Sequence, residues 1–243
     1  MISSFRKEPE MEGTLYSVGV GPGDPELMTL KAVRLIVEAD VIAIPKGDND
    51  VLTAKNIVGQ VVDLQKKEQL LVYMPMTKDM AAMDKAHDDG ADAIIKLLKE
   101  GKNVVFITLG DPTVYATCIY VHKRVLAKGY KAELIPGVPS FCAVAAKLNV
   151  ALCERAEPLI ILPGSYKESA AFLDGPGNKV LMKSASQIAK VRDELKERNL
   201  ISHAAMVERC GLPGEKVYRN LNEIDEKNSY FSVILVKEGE FTS

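Results

Sequence analysis

Short apolar runs of the kind that form β-strands alternate with helical patterns along most of the chain. "TLYSVGVG" predicts a strand, "TLKAVRLIVEAD" a helix capped by Thr29, and "VIAIP" a second strand. Two strands separated by a helix form a βαβ unit, which predicts a parallel sheet. A helix ending at Gly101, the buried strand "NVVFITLGDP" and a helix ending at Gly129 then follow. The order predicts an α/β fold.

The pattern changes after the Pro-Gly turn at residues 136 and 137. Beyond a helix over "SFCAVAAKLNV", the predicted strands outnumber the helices, which indicates a mixed sheet. We therefore expect a flexible tail over residues 1–13, an N-terminal α/β domain over 14–136 with a mostly parallel sheet, and a C-terminal α/β domain over 137–243 with a mixed sheet.

Composition excludes several classes of protein. The 243 residues are 47% hydrophobic and carry 31 basic against 33 acidic side chains, a formal net charge of −2. Such a chain can bury a large core but lacks the basic footprint of a nucleic-acid-binding protein. Its apolar runs are far shorter than the roughly 20 residues of a membrane span, and its first residues lack a signal-peptide core. We expect a cytoplasmic protein without nucleic-acid or membrane partners.

The four cysteines show no zinc-ligand spacing. Cys118, Cys142, Cys153 and Cys210 lie far apart and form no CxxC pair. We expect them to be buried free thiols, and we expect the protein to bind no metal of its own.

The loop "VGVGPGDPE" resembles a phosphate-binding loop only superficially. A dinucleotide fingerprint needs a third glycine where this chain has Asp24, and it needs a helix that begins at once. Pro22 and Pro25 delay that helix to about Thr29 and remove two backbone donors. No Gly-Lys-Ser/Thr sequence follows either, which excludes a P-loop.

A second glycine turn, Gly110-Asp111-Pro112, also carries a carboxylate. Alone, such a turn is as well explained by capping of a helix. Two acid-bearing glycine turns at the carboxyl ends of parallel strands point instead to a ligand, because ligands bind at that edge of an open α/β sheet. The acids favour a neutral or cationic ligand, and a sulfonium cofactor with an amino group fits this description.

Four segments together resemble one known family. "LYSVGVGPGDPELMTLKAVRLI", "GDPTVYATCIYVHKRV", "IPGVPSFCAVAA" and "AAMVERCGLPGEKV" are similar to the tetrapyrrole methylases, the class III S-adenosylmethionine-dependent methyltransferases, from about Thr14 to Val236. "GDPTVY" before a His-Lys-Arg helix, and "IPK" after the second strand, look most like the members that methylate carbon 20 of precorrin-2 or cobalt-factor II in cobalamin biosynthesis.

This resemblance implies two α/β domains with the active site in the cleft between them, a homodimer, and S-adenosylmethionine as methyl donor. Cys210 departs from the alanine often found in the family, although a thiol is still small. The positions that match the family's cofactor contacts are Pro22, Gly110, Asp111, Val114, Ser140, Phe141, Met182, Cys210, Phe231 and Ser232.

The implied substrate is an electron-rich tetrapyrrole with acetate and propionate groups. Lys46 is the best candidate to bind these carboxylates, and Lys183 and Arg209 are weaker ones. Tyr115 is a candidate to stack on the macrocycle or donate to it. Because the methyl group of the donor is already activated, we expect no essential nucleophile, and the sequence identifies no base for the departing proton.

Alternatives remain at this point. Within the family they are the uroporphyrinogen methyltransferase, the other corrin-ring methyltransferases and diphthine synthase, whose first loop differs from Gly-Val-Gly-Pro-Gly-Asp. Outside it they are a non-catalytic nucleotide-binding module and a nicotinamide oxidoreductase. The sequence does not distinguish metal-free from cobalt-bearing substrate.

Overall fold

The computed structural model describes residues 12–48, 52–164, 167–184, 187–224, 231–239 and 241. The first eleven residues of the predicted tail lie outside this range. Contacts divide the chain into two compact units. The first unit comprises the chain up to Gly21 and Pro25–Val138, and the second comprises Pro22–Asp24 and the chain from Pro139 onward.

The first unit is built on a five-stranded sheet in which every strand pair is parallel. The strand order is β3-β2-β4-β1-β5. Its elements are β1 (Leu15–Gly19), α1 (Leu30–Glu38), β2 (Val41–Lys46), α2 (Thr53–Val58), β3 (Glu68–Tyr73), α3 (Met80–Lys99), β4 (Val104–Thr108), α4 (Cys118–Ala127) and β5 (Ala132–Ile135).

The second unit is built on a mixed five-stranded sheet of order β6-β7-β10-β8-β9. Only β6 and β7 are parallel, whereas β10 runs antiparallel to β7 and β8, and β9 antiparallel to β8. Its elements are α5 (Ser140–Leu148), β6 (Leu159–Pro163), β7 (Asn178–Met182), α6 (Ile188–Glu197), β8 (Ala204–Glu208), β9 (Lys216–Tyr218) and β10 (Ser232–Val236).

The predicted fold class, an α/β unit with a parallel sheet followed by one with a mixed sheet, is confirmed. The Thr29 cap is confirmed as well, since its hydroxyl accepts a hydrogen bond from the Ala32 N–H at 3.1 Å. The expected burial of the four thiols is confirmed for Cys118 alone: Cys142 and Cys210 are half-buried and Cys153 is exposed.

The structure also corrects the sequence-based elements. The predicted helix that ends at Gly129, over "VYATCIYVHKRVLAKG", begins only at Cys118, because Tyr115 has a left-handed backbone with φ of 50° that no α-helix admits. The elements α2, β3 and β9 were not predicted from the sequence. β3 is an edge strand with most side chains exposed, and its apolar run Leu70–Tyr73 is a strand signal that the sequence analysis overlooked.

A buried histidine lies within the first unit. His122 on α4 is 3% exposed, and its Nδ1 lies 2.9 Å from the Ser17 hydroxyl on β1, an inner strand of the sheet. Burial lowers the pKa of His122 below its ordinary value. The Ser17 hydroxyl can bond either protonation state of the ring, so the cost of removing the charged ring from water dominates.

We expect the free energy of unfolding to fall as the pH decreases below about 6.5, the pKa of an unfolded-state histidine. The unfolded chain then binds more protons than the folded one, because the folded-state pKa of His122 is lowered. Urea titrations between pH 8 and pH 5.5 measure this slope, and His122→Gln should flatten it. His87, whose pKa burial and the Arg124 charge also lower, contributes the remainder. An unchanged slope in His122→Gln contradicts the assignment.

Candidate active site

Three glycines meet where the neighbouring strands β4, β1 and β5 end. A side chain at Gly137 would place its Cβ 2.2 Å from the Gly110 carbonyl oxygen and 2.9 Å from the Gly19 Cα. One at Gly19 would lie 2.5 Å from that same oxygen. Since real Cβ atoms do not approach so closely, only glycine permits the three backbones to pack. We call Gly19, Gly110 and Gly137 the glycine junction.

The first glycine loop and the Gly110 turn are also hydrogen-bonded to each other. Gly110 N–H donates to the Gly21 carbonyl at 2.7 Å, and Gly21 N–H donates to the Gly110 carbonyl at 3.3 Å. Gly21 has φ of 78°, which favours glycine. The two turns that the sequence analysis singled out therefore form one structure at the carboxyl edge of the first sheet, where ligands bind in open α/β folds.

The Asp111 side chain stabilises this structure by hydrogen bonds, and the residue is only 7% exposed. Its Oδ1 accepts from Thr113 N–H at 2.7 Å and from the Thr113 hydroxyl at 2.5 Å. Its Oδ2 accepts from Gly137 N–H at 2.9 Å. The carboxylate thus joins the turn after β4 to the turn after β5. The observed bonds give it a structural role that the sequence analysis, which assigned its charge to a cationic ligand, did not foresee.

The remaining candidates of the first unit flank this turn. Val114 is half-buried, and Tyr115 is 41% exposed with its strained left-handed backbone. Left-handed backbone in a bulky residue is costly and recurs at ligand sites. Lys46 ends β2, which lies beside β4, so it belongs to the same sheet edge.

Candidates of the second unit also gather at one sheet edge. Met182 ends β7 and lies opposite Val233 of β10. Ser232 begins β10 opposite Glu208, the last residue of β8, and Cys210 follows shortly after. The Phe231 carbonyl accepts from Arg209 N–H at 2.8 Å. The structure therefore brings Met182, Phe231, Ser232 and Cys210 to the ends of three adjacent strands.

Pro22–Asp24 packs against the turn of residues 209–215, which we call the Cys210 turn and which belongs to the same unit. A Cβ on Gly23 would lie 2.6 Å from the Cys210 carbonyl oxygen, and one on Gly211 would lie 2.7 Å from the Asp24 nitrogen. The close backbone contact explains the third glycine of "VGVGPGDPE", and it places Pro22 next in the chain to a residue that touches Cys210.

Ser140 and Phe141 form the first turn of α5, which follows Pro139. Phe141 is buried with the inner face of α5, and the helix packs against β8 and β10. The predicted cofactor residues thus fall into two groups, with Gly110, Asp111 and Val114 in the first unit and the others in the second.

Cys210 and Lys183 have shifted pKa values. Burial, with the nearby Glu215 carboxylate, raises the pKa of the Cys210 thiol to about 11, so the thiol is neutral at pH 7. Burial lowers the pKa of Lys183, which follows Met182 with a left-handed φ of 56°. The Arg209 Nε–H donates to the Pro213 carbonyl at 2.7 Å, and the guanidinium lies 6.0 Å from the Phe231 ring centroid.

The two edges, each taken by itself, present different groups. The first presents glycine backbone, and the second presents the Phe231 ring, Met182 and a neutral thiol. Among the residues that the structure describes, no group of three or more His, Cys, Asp and Glu side chains is placed to hold a metal ion.

The comparison with protein families matches residues 14–225 to "Tetrapyrrole (Corrin/Porphyrin) Methylases". The protein belongs to the tetrapyrrole methylase family. The resemblance noted in the sequence is therefore confirmed over nearly the whole chain.

Curated members of this family are similar over almost their full length. A probable cobalt-precorrin-2 C(20)-methyltransferase of Methanocaldococcus jannaschii is 36% identical over 92% of this chain and 95% of that protein. The cobalt-precorrin-2 C(20)-methyltransferase of Salmonella typhimurium is 32% identical over 94% of this chain and 98% of that protein. A precorrin-2 C(20)-methyltransferase of a Sinorhizobium species is 29% identical over 92% and 95%.

Solved structures of the family have the same fold. A cobalt precorrin-4 methyltransferase of cobalamin biosynthesis has a TM-score of 0.71 at 23% identity and covers 94% of this chain and 95% of that chain. The uroporphyrin-III C-methyltransferase of Thermus thermophilus, solved as a complex with S-adenosylhomocysteine, has a TM-score of 0.66 at 26% identity and covers 93% of this chain and 98% of that chain.

Sequence reasoning missed two parts of the site. The first is the junction role of Gly137, for which the Pro-Gly turn after a predicted strand was the available signal. The second is Glu215, whose carboxylate accepts from Gly211 N–H at 2.8 Å. The sequence signal for that bond was a glutamate directly after the turn-forming residues "GLPG".

We expect Asp111→Ala to lower the free energy of unfolding by about 1 to 3 kcal/mol, because it leaves the Gly137 N–H without its acceptor. Asp111→Asn should also destabilise the fold, because its amide has one acceptor oxygen and turns an NH2 donor toward either Thr113 or the Gly137 N–H. Asp92→Ala is the matched control: Asp92 pairs with Lys128 on the exposed face of α3, and such pairs contribute up to about 1 kcal/mol. Urea titration compares the three variants, and equal losses for Asp111→Ala and Asp92→Ala contradict this stabilising role.

Proposed function

We propose that the protein is an S-adenosylmethionine-dependent methyltransferase that methylates carbon 20 of precorrin-2 or cobalt-factor II in cobalamin biosynthesis. The observation that carries this proposal is the similarity, at 29 to 36% identity over at least 92% of the chain, to proteins named for C(20) methylation of precorrin-2 or cobalt-precorrin-2. Methyltransferases for other tetrapyrroles share the fold at lower identity.

The proposed donor is supported by the S-adenosylhomocysteine complex of the Thermus enzyme and by the chemistry of the two sheet edges. The glycine junction presents backbone groups, and the second edge presents an aromatic ring, a thioether and a neutral thiol. We propose that Pro22, Gly110, Asp111, Val114, Ser140, Phe141, Met182, Cys210, Phe231 and Ser232 form the donor site. For Asp111, the bonds to Thr113 and Gly137 favour a contribution through its backbone and through the shape of the turn.

The chemistry needs alignment more than side-chain catalysis. When bound, S-adenosylmethionine supplies an activated methyl group on a sulfonium, which leaves neutral S-adenosylhomocysteine after transfer to a nucleophilic carbon. The residues of this chain hold the reactants in line, an effect that can contribute about 7 to 11 kcal/mol. The rigid turns described above suit this task, because their backbones are fixed by close packing and hydrogen bonds. The methylated carbon finally releases a proton.

We propose that Lys46 and Tyr115 contact the tetrapyrrole. Lys46 lies at the same sheet edge as the Gly110 turn and offers a cation to an acetate or propionate group. Tyr115 presents an exposed ring and hydroxyl directly after that turn. Any cobalt in this reaction belongs to the substrate. The family resemblance further supports a homodimer in the cytoplasm. None of the described helices is long and apolar enough to cross a membrane.

We expect the purified protein to bind S-adenosylhomocysteine in a calorimetric titration and to transfer one methyl group from labelled S-adenosylmethionine to precorrin-2, cobalt-factor II or both. Mass analysis of the product counts the methyl groups, and NMR of ¹³C-labelled product locates them. Uroporphyrinogen III is the comparison substrate. Methylation of uroporphyrinogen alone, or at a carbon other than carbon 20, contradicts the proposed specificity, and a protein that binds no adenosyl ligand contradicts the activity.

We expect Lys46→Met to raise the KM for the tetrapyrrole about tenfold, which corresponds to the loss of one charge-assisted hydrogen bond. The dissociation constant for S-adenosylhomocysteine should stay unchanged. Lys66→Met is the matched control, because Lys66 is an exposed lysine of the same unit that pairs only weakly with Asp63. Initial rates at saturating donor measure the effect. If the two variants have the same KM, Lys46 does not bind the substrate.

A further inference from the structure

Glu215 lies at the end of the Cys210 turn, and its carboxylate meets three groups of the protein. One carboxylate oxygen accepts from Gly211 N–H at 2.8 Å, and the other contacts the Lys147 ammonium of α5. The Cys210 thiol neighbours the same carboxylate, whose charge adds to burial in raising the pKa of the thiol. The Glu215 side chain is only 23% exposed, so solvent screens these contacts incompletely.

The turn has a backbone shape that needs support. Arg209 and Gly211 have left-handed φ values of 54° and 74°. Within the turn, Leu212 N–H donates to the Arg209 carbonyl at 2.8 Å and Glu215 N–H to the Leu212 carbonyl at 3.1 Å. The Gly211 N–H points instead to the Glu215 carboxylate. A left-handed arginine costs free energy that surrounding contacts must offset.

The part of the turn that Glu215 holds is the part that meets the first glycine loop. Gly23 contacts the Cys210 carbonyl and Gly211, and Gly211 in turn contacts Asp24, all within the second unit. Displacement of Gly211 would therefore move both the Cys210 carbonyl and the Pro22–Asp24 segment. Both segments contain positions proposed for the donor.

We propose that Glu215 is the positioning residue of the donor site: its carboxylate fixes Cys210 and Gly211 in the shape that binds S-adenosylmethionine and ties that turn to Lys147 on α5. It acts through Cys210 and Gly211 and does not itself contact the donor. The inference rests on the proposed function, because it presumes that the Cys210 turn belongs to the donor site.

The charges agree with this arrangement. Burial raises the pKa of Glu215, but its contacts with the Gly211 N–H, the Lys147 ammonium and the neighbouring Cys210 thiol outweigh burial and hold that pKa below the ordinary value. The carboxylate is thus ionised at pH 7, and burial together with this negative charge keeps the Cys210 thiol protonated. A neutral thiol at this position avoids alkylation by the donor's own methyl group, which a thiolate would accept.

The test compares Glu215→Ala, Glu215→Gln and Lys147→Met with wild type and with Glu197→Ala, which changes an exposed glutamate at the end of α6. Calorimetry gives the dissociation constant for S-adenosylhomocysteine, and initial rates give the KM for the donor and kcat.

Loss of the Gly211 acceptor in Glu215→Ala should weaken binding of S-adenosylhomocysteine about tenfold or more. Glu215→Gln should stay within about threefold of wild type, because its amide oxygen accepts the same bond. At saturating donor, kcat should remain at the wild-type value in Glu215→Ala and in Glu215→Gln.

A second measurement keeps the test informative if Glu215→Ala does not fold. Peptide-resolved alkylation by iodoacetamide at pH 8 reports the ionisation of Cys210, and Glu215→Gln should speed its modification several-fold by removing the adjacent negative charge. Lys147→Met should slow it, since Lys147 lowers the pKa of that thiol.

The outcomes separate the two proposals. Wild-type protein that binds no S-adenosylhomocysteine overturns the proposed function. Wild-type protein that binds it, together with a folded Glu215→Ala variant of unchanged affinity, overturns the positioning role alone. The same holds if Glu215→Gln binds as weakly as Glu215→Ala, or if Cys210 in Glu215→Gln reacts at the wild-type rate. A lower melting temperature with unchanged affinity marks Glu215 as structural only and likewise overturns the inference.

Discussion

The close packing of Gly19, Gly110 and Gly137 is the constraint on which the first unit's site depends. These glycines end three neighbouring parallel strands, and the Gly110 carbonyl lies so near the other two backbones that any side chain would collide with it. Parallel strands normally diverge into separate loops at this edge. Here Asp111 bonds Gly137, and Gly21 pairs with Gly110, so the loops form one rigid surface of backbone groups. A surface of this kind can recognise a ligand without basic side chains.

The backbone at the edge of the second sheet is also held in place, but by different contacts. Its edge is formed by strands of both directions, and the sheet supplies Met182, Ser232 and Glu208 as strand-end residues. The shape of the Cys210 turn comes from side-chain contacts to its backbone, chiefly those of Glu215 and Arg209. Backbone fixed by buried or half-buried acids is thus common to both edges, with Asp111 in one unit and Glu215 in the other.

The sequence was informative wherever a local pattern determines structure. Alternating strands and helices predicted both sheets, and the Thr29 cap followed from residue type and position. The edge strand β3 was missed although Leu70–Tyr73 is an apolar run, because the polar residues on both sides of this short run gave no clear alternation or helical period. The left-handed backbone of Tyr115 was missed because no residue type in Val114–Thr117 marks it, and the hydrogen bonds of the preceding Asp111 turn are visible only in the folded chain.

The roles of the acidic residues were harder to predict, for a physical reason. A carboxylate in a glycine turn attracts a cation or a row of N–H groups equally well, and only the folded chain shows which of these is within reach. The sequence therefore identified the Asp111 turn as important, but the groups that Asp111 binds, Thr113 and Gly137, belong to the protein itself. Glu215 shows the same limit, since Lys147 reaches it from a helix far earlier in the chain. The methyl donor carries its own reactive group, so a site for it needs shape more than titrating side chains. Acids that bind backbone N–H groups supply such shape, and in this protein they lie directly beside the residues proposed to touch the donor.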